Sequence, residues 1–495
     1  MQGRKHYQEK LFTSFSLSDR IPENNFYRML DRELDLHFLY KETENYYGKE
    51  GQASIDPVVF FKLLLTGYFE NLPSDRRIIE NARLRLDILY FIGYDIDETL
   101  PWHSTLSRTR KLYGEDVFQK LFIYVLKLCV EKGMVAGKRQ SIDSVLVKAN
   151  ASMSSLVDKE EVLSDGVLYI NSLESEENHK GQQLSKKNLK PIYIWIKLSK
   201  KKSNKNRYSP TDPDARFSTK PGKPLQMNYL GQVSVDTDHH VITNIEAHHA
   251  DKRDSECLEE VIGHTLGNLS EQDIEAEEIL ADTNYSSSKS LKALGKKGLT
   301  AYIPNFGRYK NQREGFTYKE EGDYYLCQRG VKLTFKGIRN YSDRGSMKQY
   351  RATIKDCSEC VLRKHCIGEK GNCKGLADSI DKKLFDEMHE RMQSSYARKM
   401  KKLRHSTVEP VIGTLVNVHA MKSIPGRGIE QANKHMIGSA TAYNLKKWLK
   451  WNVKKNNPKS SAIQIQKVLA NFKSIFLAVK VKWNQCSINT SLNSI

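Results

Sequence analysis

The spacing of apolar residues changes several times along this chain, and each change marks a boundary. From Asp56 to Val135 the apolar positions recur at helical spacing. Asp56-Pro57 predicts a helix start, an N-cap followed by proline at the first helical position. Behind it Val58, Phe61, Leu64, Leu65 and Tyr68 share one face. A second helix is predicted from Ser74, with Arg76, Arg77 and Arg83 among its polar positions. A third follows Pro101-Trp102-His103, capped by Ser104, and a fourth runs from Val117 to Val135. At Arg139 the pattern changes to alternation, which predicts a half-buried strand through Lys148. Ile142, Leu146 and Lys148 point to one side of it, and Asp143, Val145 and Val147 to the other. A carboxylate in mid-strand is costly to bury without a partner. Asp143 is therefore a solvated edge residue or a functional group.

Further elements follow in order. Tyr229 to Val235 and Val241 to Ala247 read as strands, joined through Asp236-Thr237-Asp238-His239-His240. Ser255 to Leu266 reads as a helix. Glu278 to Tyr285 begins as a buried strand and reaches Asp282. Ser287 to Leu294 is helical, and Leu299 to Pro304 is a last short strand. Residues 305–375 break this α/β pattern. Helical spacing returns at Lys382, runs to Arg404, passes Glu409-Pro410 into Val418, and recurs over Gln431 to Lys450. Pro410 has no N–H, so a kink or a restart is expected there. Between the first two strands, residues 151–207 are rich in Ser, Lys, Glu and Asn and read as a flexible insertion. Ile192 to Ile196 is its one ordered-looking piece, followed by a basic run at Lys197, Lys200, Lys201, Lys202, Lys205 and Arg207. Asp212-Pro213-Asp214 is chiefly a turn signal. The last 40 or so residues form a basic tail or an added helix.

Charge changes the picture most. The 495 residues carry 79 Lys+Arg against 59 Asp+Glu, a net +20. Such a balance points to a polyanionic partner, with nucleic acid as the default; a ribosome-associated or membrane-surface protein shares it. The longest apolar stretch, Val58 to Phe69, is interrupted by Lys62 and too short to span a bilayer. No apolar run follows Met1-Gln2-Gly3-Arg4-Lys5-His6, so no signal peptide and a cytosolic protein are expected. In that setting the eight cysteines are thiols or metal ligands, not a disulfide framework. Cys357-x2-Cys360-x5-Cys366-x6-Cys373 has Cys327 30 residues upstream. A Cys-x2-Cys pair on a turn is a common half-site for tetrahedral zinc. Cys327, Cys357, Cys360 and Cys366 are the candidate ligands, Cys373 a substitute; the rival reading is reduced thiols without metal. Lys355, Arg363, Lys364 and His365 surround the cluster. Cys129, Cys257 and Cys486 read as small hydrophobes. His239, His240, His248 and His249 read as polar residues of turns and strand ends.

A strand with Asp143, two strands, a helix, a strand reaching Asp282, a helix, a strand and a helix with Glu409 form the order of an RNase H-like domain. The fold class expected is α/β: a mixed sheet with flanking helices, an all-α N-terminal domain and a small Cys-rich insertion. At Ser141-Ile142-Asp143-Ser144, Thr211-Asp212-Pro213-Asp214-Ala215, Leu280-Ala281-Asp282-Thr283-Asn284-Tyr285 and Val408-Glu409-Pro410-Val411-Ile412-Gly413 the chain resembles the DDE transposases of bacterial insertion sequences. Ile55 to Val58 and His103-Ser104-Thr105 resemble that family's helical N-terminal region. The resemblance covers roughly residues 20–450.

The resemblance implies a metal-dependent nuclease and strand transferase that binds the terminal inverted repeats of its element. Asp143, Asp282 and Glu409 would bind two Mg²⁺, about 3.5–4 Å apart. One ion would activate water to cut the element's end, and the freed 3′-OH would attack target DNA. The partners implied are double-stranded DNA, as element ends and target, and a second copy of the chain; the location is the cytoplasm, at the nucleoid. DNA contacts are expected from Arg76, Arg77, Ser104, Thr105, Ser107, Arg108, Arg110 and Arg404. The domains implied are 1–135, helical and DNA-binding; 136–304, catalytic; 305–375, the Cys-rich insertion; 376–455, closing helices with Glu409; and 456–495, a basic tail. Two details depart from the family. Val416 stands seven positions after Glu409, where many relatives carry a basic residue, and Lys422 or His419 is the substitute. His405 stands four before it, where many carry Arg, with Arg404 one earlier. Two other readings remain: a transposase-derived DNA-binding protein without catalysis, and an RNase H-like nuclease without strand transfer. The acidic trio opposes the first, because carboxylates without metal repel phosphates.

Overall fold

The computed structural model describes residues 5, 14–48, 50, 54–158, 203–218, 225–307, 309–341, 345–367 and 371–456. Ile192 to Ile196, the basic run through Lys202, and the tail from 457 with Cys486 lie outside the described residues. The chain divides into two compact units, residues 1–134 with 438–495, and residues 135–437.

The first unit is helical. It contains α1 (Phe26–Glu33), α2 (Phe38–Thr43), α3 (Pro57–Phe69), α4 (Asp75–Leu84), α5 (Leu86–Ile92), α6 (His103–Leu112) and α7 (Glu115–Glu131). Asp56 caps α3, its Oδ1 accepting from the backbone N–H of Val58 at 2.7 Å and Val59 at 3.1 Å. The expected single apolar face of α3 is too narrow. Phe60 and Leu63 are as buried as Phe61 and Leu64, because a helix apolar on all sides belongs inside a core. Ser74 caps α4. Ser104 does not cap α6: the helix starts at His103, and Ser104 sits inside its first turn.

The second unit is built on a six-stranded sheet. Its main strands are β1 (Arg139–Lys148), β2 (Met227–Asp236), β3 (Ile242–His249), β4 (Glu278–Leu280) and β5 (Thr300–Tyr302). Their order across the sheet is β3-β2-β1-β4-β5, with Arg216–Phe217 as a short further strand on β2. β2 is antiparallel to β1 and β3, whereas β1, β4 and β5 are parallel. α8 (Asp254–Ser270) leads from β3 into β4, and α9 (Ser288–Lys296) joins β4 to β5. Ile142, Leu230, Leu258, Val261, Ile279 and Leu294 form the core between the sheet and these helices. Ile142 faces that core, so Asp143, the next residue of the strand, faces the other side.

Between β5 and the closing helices an antiparallel sheet is inserted. Its strands are β6 (Phe316–Lys319), β7 (Tyr324–Cys327), β8 (Lys332–Tyr341), β9 (Gly345–Arg351) and β10 (Gly375–Ser379), with α10 (Ile354–Ser358) and α11 (Arg363–Cys366) between the last two. Then come α12 (Lys382–Gln393) and α13 (Ser395–Val418), and α13 packs across β1, β2, β4 and β5. Pro410 does not interrupt α13. Ser406, whose carbonyl loses its N–H partner, is exposed together with Pro410, so water can serve that carbonyl. The final helix, α14 (Ile429–Asn456), is more than a sequel to a turn at Asp212-Pro213-Asp214. Asp212 Oδ1 accepts from the Gly428 N–H and Asp214 Oδ2 from the Ile429 N–H, both at 3.0 Å, fixing the helix start. Among the described residues no helix is long and apolar enough to cross a membrane.

Candidate active site

Strand register brings the first two carboxylates together. β1 and β4 run parallel with Ser141 opposite Leu280. Carried on by two residues, the same register sets Asp143 beside Asp282, and adjacent strands lie only about 4.8 Å apart. Asp282 follows the strand end and opens a tight turn. Its Oδ1 accepts from the Asn284 N–H at 2.9 Å and its Oδ2 from the Asn284 side chain at 3.0 Å. Burial raises the pKa of Asp282, and the charge of Asp143 raises it further. Burial also raises Asp143, against the opposing pull of Arg404.

The third carboxylate arrives on α13. Arg404 donates to Asp143 Oδ2 at 2.9 Å and to Glu409 Oε1 at 3.2 Å, so one guanidinium bridges the strand acid and the helix acid. His405 Nδ1 shares the same Glu409 oxygen at 2.5 Å. Arg404 is 8% exposed and Glu409 50%. In this structure the Arg404 guanidinium faces two carboxylates. Val416 is half-buried, His419 is buried, and Lys422 is exposed. Ala281, Asp282, Tyr302, Lys401, Arg404 and His405 line an open cleft of about 290 Å³.

A fourth acid went unread in the sequence. Asp254, the first residue of α8, is 3% exposed and accepts from Gln232 Nε2 at 3.3 Å. Its charge acts on both Asp143 and Asp282. Gln232 accepts from the Tyr285 hydroxyl in turn, and Tyr285 is fully buried. An Asp at a helix start reads as an ordinary N-terminal acid. Only the sheet's closure reveals that this one is turned inward.

The remaining candidates are scattered. In the helical unit Arg76, Arg77 and Arg108 are exposed, and Ser104, Thr105 and Ser107 are half-buried. Arg76 contacts His103 Nε2 at 3.3 Å, which ties α4 to α6. Arg110 is not part of that surface. Its guanidinium is buried and grips both oxygens of Asp75. In the second unit Cys327, Cys357, Cys360 and Cys366 border one small cavity of the inserted sheet. His248 belongs to a different group, with Glu246 and Glu260, whose ligand atoms all lie within 4.8 Å of one another. Burial pushes Glu246 upward, but hydrogen bonds from His248, His264 and Asn244 hold it below the usual carboxylate range. Those bonds occupy both of its oxygens, so the cluster is satisfied as a hydrogen-bond network.

Residues 15–112 match a family described as Transposase domain (DUF772), and residues 326–449 match one described as Transposase DDE domain. The first span ends with α6, and the second runs from Leu326 through Glu409. No curated protein matches the chain. Among solved structures, a piggyBac transposase synaptic complex with hairpin DNA aligns over 86% of this chain and 77% of that one. Identity is 11% and the TM-score 0.29, too low to bear on this chain.

Proposed function

Because the chain belongs to the DDE transposases of insertion sequences, we propose that it cuts the ends of its element and joins them to target DNA at Asp143, Asp282 and Glu409. The observation that carries this reading is the parallel register that sets Asp143 beside Asp282, with Glu409 drawn in by Arg404. The strand order is that of an RNase H-like domain, with Asp143 in the middle of β1 and Asp282 just past the carboxyl end of its parallel neighbour β4.

These residues fit divalent cations. Two half-buried carboxylates, both raised by burial and one raised further by its neighbour, call for positive charge, and a guanidinium already sits between Asp143 and Glu409. Two Mg²⁺ held by the three acids would activate the attacking oxygen and stabilise the leaving one. The chain's own groups do the rest. Asn284 fixes the carboxylate plane of Asp282. Gln232 and Tyr285 hold Asp254 behind the pair. Lys401 and His405 line the cleft beside Asp282 and are placed to meet a phosphodiester. Two copies of the chain would hold the two ends of one element.

The direct test is cleavage of a labelled duplex carrying the inverted ends that flank the gene, with Mg²⁺ or Mn²⁺. Nicks at the element boundary are expected from the native protein and not from Asp143→Ala. Joining of the cut end to a supercoiled plasmid would distinguish transfer from simple hydrolysis. Tight binding with no nick under either metal would leave only the DNA-binding reading.

The helical unit has its own prediction. The exposed Arg76, Arg77 and Arg108 are assigned to DNA phosphates, with Ser104, Thr105 and Ser107 beside Arg108 on α6. Removing all three arginines should weaken end binding and flatten its salt dependence, by about 0.9 in log–log slope for each phosphate no longer neutralised. Arg110→Ala should act differently. It strips the half-buried Asp75 of its partner, at a cost of about 2–4 kcal/mol, and should appear as lowered thermal stability. A triple variant with native affinity and salt slope would remove α4 and α6 from the interface.

A further inference from the structure

The inserted sheet has little apolar material to hold it. Its buried cluster is Tyr325, Leu333, Tyr350, Ala352, Cys357 and Leu376, while most of β8 is exposed. Modules with so small a core usually depend on a metal or a disulfide. The described cysteines are all free thiols, and thiols are the donors a structural metal takes.

Four thiols border one small cavity at one end of this sheet. Cys327 ends β7 at a tight hairpin, where its N–H donates to Val331 O at 3.0 Å and its carbonyl accepts from Gly330 at 2.9 Å. Cys357 lies in α10, Cys360 just beyond it, and Cys366 ends α11. All four border a cavity of about 30 Å³ with apolar walls from Phe316, Val331, Leu333 and Ile367. Cys373 is different: it does not border the cavity.

We propose that Cys327, Cys357, Cys360 and Cys366 bind one structural Zn²⁺ that staples the inserted sheet. Four thiolates from two turns are the donor set of a closed tetrahedral zinc site. On binding, four S–H protons pass to solvent and four Zn–S bonds form, leaving a net charge of −2 on the cluster. Arg329, Arg363 and Lys374 line the same cavity and offset that charge. Two of them also fasten the ligand backbone: Arg363 donates to Cys357 O at 3.2 Å and Lys374 to Cys366 O at 2.6 Å. Among the described residues no three of these sulfurs all lie within 4.8 Å of one another, and the ion would draw them in to about 2.3 Å from the metal.

The test is the metal content of full-length protein purified without chelator. About one zinc per chain is expected in the native protein, in Cys373→Ser and in His248→Ala, with loss in Cys360→Ser and Cys366→Ser. Because the ligand variants risk unfolding, the native protein is also stripped and reloaded with Co²⁺ alone. Sulfur-to-cobalt charge-transfer absorption and protection of about four thiols from a thiol reagent are then expected in the native protein and in Cys373→Ser. Native protein without zinc and with freely reactive thiols would overturn the proposal. So would iron in place of zinc, retention of zinc in both ligand variants, or its loss in His248→Ala. None of these readouts depends on DNA cleavage, so the proposal and the transposase reading fail separately.

Discussion

Asp282→Asn is expected to lower cleavage of the element's end by about a thousandfold or more, while end binding stays near native and the metal-free protein becomes no less stable. The first part follows from removing one of two adjacent carboxylates that would hold the ions. Lost charge stabilisation of several kcal/mol corresponds to about three powers of ten in rate. The second follows because the arginines assigned to end binding lie in the helical unit. The third rests on the direction of the pKa shifts. Asp143 and Asp282 both titrate above the ordinary 3.8 in the folded chain. A group so shifted contributes stability that is fully present below pH 3.8 and lost as pH rises through its folded pKa. At neutral pH both acids are therefore a net strain on the metal-free fold, and asparagine removes half of the pair. Melting temperature at pH 7 without metal should be equal to or above that of the native protein, and added Mg²⁺ should raise it less. Undiminished cleavage would exclude Asp282 from the site. A lower melting temperature with weakened Mg²⁺ response would mean that Asp282 is held by a partner that asparagine cannot satisfy.

What could be read in the sequence depended on whether a local pattern had a single physical cause. The Asp56-Pro57 helix start has one, since the first turn of a helix has no use for the N–H that proline lacks, and the structure places the cap there. The alternation in β1 has one too. Ile142 in the core leaves Asp143 on the opposite face. Arg110 was legible but misassigned. Residues two apart on a helix point about 200° apart, so Arg108 and Arg110 cannot both face DNA. Leu106, Arg110 and Tyr113 share the buried stripe. Asp254 was not legible, because its inward turn depends on Gln232 and Tyr285 from distant elements. The inserted sheet was missed for another reason. β8 is exposed along most of its length, so neither face imposes the alternation that betrays a strand.

Arg404→Ala should destabilise the metal-free protein substantially and make its stability depend more steeply on Mg²⁺. The guanidinium is 8% exposed and is the charged group linking Asp143, 19% exposed, to Glu409, 50% exposed. Stripping a buried acid of its partner costs about 3–5 kcal/mol. The half-exposed Glu409 is screened by water and contributes less, so about 2–4 kcal/mol is expected, or roughly 5–15 °C in melting temperature. Divalent cations act on the same carboxylates. With alanine at 404 no guanidinium competes for Asp143, and only His405 remains on Glu409, so Mg²⁺ should bind more tightly. Each tenfold gain in affinity adds about 1.4 kcal/mol of stabilisation at saturating metal. Arg404→Lys keeps one charge but lacks the fork that spans two acids, and should fall between the two. The measurement is a melting curve of each protein over a Mg²⁺ series in the absence of DNA. Equal melting temperatures without metal and parallel responses to Mg²⁺ would show that Arg404 does not neutralise the acids. Its role would then be the contact with the DNA backbone that its position near Glu409 first suggested.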